Sequence, residues 1–84
     1  MTQYDKLLSR FLSLPKDFKI DELNTLMSKL GFRISNRGKT SGSAIAYINE
    51  KKHIIRIHRP HPSKIVKLSA LKDILNNLKE NGYI

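Results

Sequence analysis

The sequence predicts an α+β fold, a three-stranded antiparallel sheet packed on helices in the order α-α-β-β-β-α. Three observations lead there. Apolar residues recur at helical spacing at both ends of the chain. Three short apolar runs occupy the middle. The links between those runs are tight or glycine-punctuated, which favours a meander whose apolar face is covered by the flanking helices. With 84 residues, 39% of them hydrophobic, the chain suits one domain with a small two-layer core and little room for a deep pocket.

Tyr4, Leu7, Leu8, Phe11 and Leu12 fall on one face of a first helix, closed by Pro15, which pushes the residue before it out of the α region. Asp21 is placed to cap a second helix carrying Leu23, Leu26, Met27 and Leu30, and Gly31 is its expected left-handed stop. Phe32-Arg33-Ile34 starts a short strand, and Ala44–Ile48 forms a second, buried on both sides near its middle. Asn49-Glu50-Lys51-Lys52 reads as a hairpin turn. The third strand is read as His53–His58, with Ile55 and Ile57 on one side and the two histidines on opposite faces. Prolines at 60 and 62 impose a stiff, extended loop. Leu68, Leu71, Ile74, Leu75 and Leu78 then make a helical stripe ending at Gly82.

The charge of the chain is +9, and it is segregated. Residues 33–67 hold nine Lys/Arg against Glu50 alone, a net of +8, while the segments on either side are close to neutral. Solubility does not require such asymmetry; a face that binds a polyanion does. No cysteine is present, which excludes disulfides, thiolate metal sites and cysteine nucleophiles. The polar N-terminus does not read as a signal peptide, and no apolar run approaches the ~20 residues that span a bilayer. A cytoplasmic protein with no membrane partner and no cofactor is expected.

Within the basic segment, the loop Asn36–Ser43 combines two glycines, three hydroxyls, Arg37 and Lys39. Its backbone can approach and cradle phosphate. A strand follows it rather than a helix, so it is not a P-loop; an ordinary long hairpin loop is the simpler alternative. His58 and His61 flank Arg59-Pro60 at the end of the third strand. They suit acid–base work or phosphate contact, since histidine titrates near neutrality and can move the 2′-hydroxyl proton of RNA; a hydrogen-bonded strand end is the competing role. The order of the strands should bring Ala44 beside the end of the third strand, near His58. Three histidines without cysteine or nearby carboxylates make a poor zinc set. Glu50 alone cannot hold the Mg²⁺ of a two-metal nuclease. Platforms for base stacking are not evident.

The stretches LMSKLGF, GKTSGS and IHRPHPSKIVKLSALKDILNNLKENG, in that order, resemble the HicA family of type II toxin–antitoxin toxins. The resemblance covers Asp21–Gly82 and divides the chain into an N-terminal helical extension, 1–20, and a HicA-like domain, 21–84, in one compact unit. It implies a fold like the double-stranded-RNA-binding domain, with the N-terminal helix as an addition. It also implies an mRNA interferase, a metal-independent endoribonuclease silenced by a HicB-type antitoxin. RNA would then be the polyanion, met by Arg37, Gly38, Lys39, Ser41, Gly42, Ser43, Arg59 and Lys64. The family's catalytic histidine follows a Gly-Ser pair; Gly42 and Ser43 match, and Ala44 stands in the histidine's place. Alanine cannot transfer a proton. Either it was introduced to make a toxic protein expressible, or catalysis here uses His58 and His61, or the chain only binds. A non-catalytic RNA-binding module is the alternative function, and a DNA-binding regulator is less favoured because the N-terminal helices carry little net charge.

Overall fold

The computed structural model describes residues 3–35, 44–58, 60 and 63–84, the side chain of Ala44 apart. Its elements are α1 (Gln3–Leu12), α2 (Ile20–Lys29), β1 (Arg33–Ser35), β2 (Ala44–Ile48), β3 (Ile54–His58) and α3 (Leu68–Glu80). The strands form an antiparallel sheet in the order β1-β2-β3, so the predicted α+β architecture holds. No helix among the described residues is long and apolar enough to cross a membrane.

Strand alternation sorts the residues of the sheet. Ile45 pairs with Ile57 and Tyr47 with Ile55, and these four join the core with Leu23, Leu26 and Met27 of α2 and Leu71, Ile74, Leu75 and Leu78 of α3. The Tyr47 hydroxyl donates to Asn24 Oδ1 on α2, and burial holds the phenol well above its usual pKa. That bond gives a buried polar group the partner it requires. Gly31 and Gly82 take φ of +93° and +76°. Each lets the chain double back at a helix end: Phe32 N–H donates to Met27 O and Tyr83 N–H to Leu78 O.

Several boundaries differ from the sequence reading. α2 begins at Ile20 with Lys19, not Asp21, in the cap position. Lys19 is extended because it bridges to Ile65, and the Glu22 carboxylate accepts its N–H at 3.1 Å. Leu12 is 44% exposed, so the buried face of α1 is Tyr4, Leu7, Leu8 and Phe11 without it. α1 stops at Leu12, ahead of Pro15, and Leu14 takes a φ of +51°. Phe32 packs in the core ahead of β1, which runs Arg33–Ser35. The third strand starts at Ile54; His53 belongs to the preceding turn, where its N–H donates to Asn49 Oδ1.

The N-terminal helix shares the core of the rest. Phe11 and Phe18 are fully buried with ring centroids 5.7 Å apart. Arg10 closes the seam, donating from Nε to Glu22 at 2.8 Å and from Nη2 to the Asp17 carboxylate at 3.1 Å and carbonyl at 3.0 Å. The bond from Arg10 holds the Glu22 carboxyl below its ordinary pKa of 4.5. A carboxylate lowered in this way adds stability that is complete above its unfolded pKa and is lost as pH falls through the lower folded value. Denaturant midpoints between pH 7 and pH 3 should therefore fall less steeply for Glu22→Gln than for the parent, the two converging at the acid end.

Candidate nucleic-acid interface

The register of the sheet gathers the candidate residues at one end. Ala44 pairs with His58 across the β2–β3 ladder, where Cα atoms of opposed residues lie about 4.5–5.5 Å apart. Ser35, the last residue of β1, pairs with Ala46, so the chain leaves β1 and enters β2 at this same end. On the same face, two residues further along each strand, come Ser35, Ala46 and Arg56, and two beyond that Arg33, Ile48 and Ile54. Opposed residues share a face, and Ile55 and Ile57 point into the core, so Arg56 and His58 project from the face that the helices leave open. Arg33, Arg56 and His58 are exposed there.

Lys64 stands on the far side of β3. It is exposed and takes a φ of +62°, unusual for a residue with a Cβ. The turn is fixed from below: Ile20 N–H donates to Lys64 O, and Val66 N–H to Phe18 O, both at 2.8 Å. Val66 is buried, while Lys64 and Lys67 on either side face solvent. Between this segment, the outer edge of β3 and the start of α3 lies a cleft of about 650 Å³ lined by Arg56, His58, Pro60, Lys67, Ser69 and Asp73. Its floor is apolar, from Ile57, Ile65 and Ala70.

Of the residues the sequence singled out, the structure brings Ala44 and His58 together as strand partners and sets Lys64 on the loop that follows β3. Arg37, Gly38, Lys39, Ser41, Gly42, Ser43, Arg59 and His61 lie outside the described residues. His53 belongs elsewhere. It sits beyond the opposite end of β3 from His58, about 17 Å away at ~3.4 Å per residue, and on the helix-covered face, so the two histidines do lie on opposite faces. There its Nε2–H donates to Asn77 Oδ1 at 2.7 Å, and its ring packs against Phe32 and Tyr83. Among the described residues, no group of three or more His, Asp or Glu is arranged to hold a metal ion. Arg56, Lys67 and Asp73 were not singled out by sequence. The inward alternation of Ile55 and Ile57 already implied that Arg56 projects beside His58; no local signal marked Asp73.

A family model, the HicA toxin of bacterial toxin–antitoxin systems, matches residues 20–82, three quarters of the chain. The chain belongs to the HicA toxin family. Membership makes it the toxin of a toxin–antitoxin pair and implies an antitoxin partner. The match begins at the first residue of α2 and ends at the glycine that closes α3, so α1 lies outside it. Comparisons with curated proteins and with solved structures return no match.

The two ends of the sheet should separate by mutation. His53→Ala removes a half-buried ring with a hydrogen bond and two aromatic contacts, and should lower unfolding stability by about 1–3 kcal/mol without weakening polyanion binding. His58→Ala, at an exposed position, should change stability by no more than about 0.5 kcal/mol. Chemical denaturation alongside a heparin or RNA binding assay measures both.

Proposed function

We propose that this HicA-family toxin is an RNA-binding protein of the mRNA interferase type, with its active centre at the Ala44–His58 end of the sheet. The observation that carries the reading is the pairing of the position of the family histidine with His58, inside the segment that holds nearly all of the excess positive charge. Arg56, Lys64 and Lys67 are exposed around it. Each phosphate they neutralise releases counterions, so affinity should depend steeply on salt.

The chemistry follows from a pair of histidines at opposed positions on neighbouring strands, their Cβ atoms about 5 Å apart. With a histidine at position 44, one ring takes the proton of the 2′-hydroxyl. The 2′-oxygen then attacks the adjacent phosphorus, and the bond to the 5′-oxygen breaks. The other ring, protonated, gives its proton to that departing oxygen, leaving a 2′,3′-cyclic phosphate and a free 5′-hydroxyl. Arg37, Lys39 or Lys64 offsets the charge that develops on the phosphate. RNA brings its own nucleophile, so no metal is needed and DNA is left intact. Serving this reaction are Gly38, Ser41, Gly42 and Ser43 as phosphate contacts, with Arg59 and His61, which follow His58 in the sequence. A HicB-type antitoxin neutralises the toxin by presenting carboxylates to the same face, and residues 1–20 extend the family domain that occupies 21–84.

Ala44 cannot perform its half of this exchange, so the chain binds RNA and cuts it slowly if at all. Losing a general base commonly costs 10²–10⁴-fold. Ala44→His should raise cleavage by about that factor in the presence of EDTA, and should make expression without antitoxin harmful to the host. His58→Ala in that background should abolish the gain. An Ala44→His protein that binds RNA normally and never cuts it would overturn the catalytic reading and leave a non-catalytic RNA-binding module.

A further inference from the structure

The cleft beside β3 is built from unlike parts. The edge of β3 contributes Arg56 and His58, and α3 contributes the Asp73 carboxylate with Lys67 at its N-cap, all four exposed. Ser69, Ala70 and Asp73 are spaced to share one face of α3, and all three line the cleft. The floor of Ile57, Ile65 and Ala70 is apolar. The lining takes in Arg56, Ile57 and His58 consecutively, from both faces of the sheet, so the cleft runs along the free edge of β3. Its volume, about 650 Å³, falls within the usual range of small-ligand sites, ~300–1,000 Å³.

A cleft made only to hold phosphate would not carry a carboxylate, which repels it. A carboxylate is acceptor-only and needs donors opposite. An apolar floor suits the face of a base, and cations at the rim suit its phosphates. We propose that this cleft binds the unpaired nucleotide next to the phosphate held at His58, and that Asp73 selects guanine there. The inference rests on the RNA-binding reading and goes beyond it by assigning a base-reading pocket and its specificity residue.

The choice of base follows from donor patterns. Guanine presents two adjacent donors, N1–H and the N2 amino group, which match the two oxygens of one carboxylate. Adenine sets an acceptor nitrogen beside its amino group, and uracil flanks its single N–H with two carbonyls; both meet the carboxylate with repulsion. Cytosine offers one amino group beside an acceptor. Unpaired bases splayed out of a strand are commonly read in this way along their Watson–Crick edges. Asp73 is exposed, so its substitution spares the core.

Four short single-stranded RNAs, identical except for one guanine, adenine, cytosine or uracil in a guanine-free background, test this by fluorescence anisotropy with the full chain at fixed salt. The guanine strand should bind roughly ten-fold tighter than the adenine and uracil strands. Asp73→Asn should cut that preference to less than about three-fold while leaving the salt slope, which reports phosphate contacts, unchanged. Circular dichroism of the variant checks its fold. Equal, salt-dependent affinity for all four strands would overturn the pocket assignment while sparing RNA binding, and would leave the free edge of β3 to a protein strand such as an acidic antitoxin segment. Absence of binding to every strand would overturn both readings.

Discussion

Two backbone hydrogen bonds join parts of the chain that are far apart in sequence: Ile20 N–H to Lys64 O and Val66 N–H to Phe18 O. Much else depends on them. They tie the start of α2 to the segment entering α3, with Phe18 and Val66 buried on either side of the bridge between Lys19 and Ile65. They also hold Lys64 at a φ of +62°, a conformation that costs an L-residue on the order of 1 kcal/mol and persists only where its surroundings over-determine it. Phe18 in turn meets Phe11 and lies under the Arg10 guanidinium, 5.7 Å above its ring. The N-terminal helix, which lies outside the family match, thus reaches the loop after β3 through one aromatic contact and one short bridge.

The sheet divides its work between its ends. At the hairpin end, Asn49 is buried and fully used: its Oδ1 accepts from Lys51 and His53 N–H, and its Nδ2 donates to the Tyr83 hydroxyl. Nearby, Phe32 meets His53 and Tyr83 edge to face and the His53 and Tyr83 rings pack at a tilt, holding the C-terminal residues against the turn. At the other end, His58 is exposed and the strands open toward the basic segment. Two histidines of one segment, five residues apart, therefore meet different fates. One is packed and hydrogen-bonded; the other faces solvent.

How far the sequence could anticipate this depended on the kind of information involved. The alternation of Ile55 and Ile57 and the apolar stripe of α3 report burial directly, so the order of elements and the inner face of the sheet were legible. Ala44 could be set beside His58 because a short hairpin at Asn49–His53 leaves little freedom in register. Element ends were less legible, because tertiary contacts move them. Asp21 has the better capping side chain, yet the bridge from Lys19 to Ile65 starts α2 a residue before it. Leu12 continues the apolar spacing of α1 yet stays exposed. The cleft was the least legible feature, since Arg56 on β3 and Lys67 and Asp73 on α3 meet only when α3 docks along the edge of β3.

The most direct test of the proposed RNA interface is amide chemical-shift mapping by NMR during titration with a short single-stranded RNA. The account predicts that the perturbed amides cluster at residue 44, Arg56, His58, Lys64 and Lys67, and that Asn49–His53 and α1 stay unmoved. Shifts confined to α1 and α2, or to the Asn49–His53 hairpin, would contradict it.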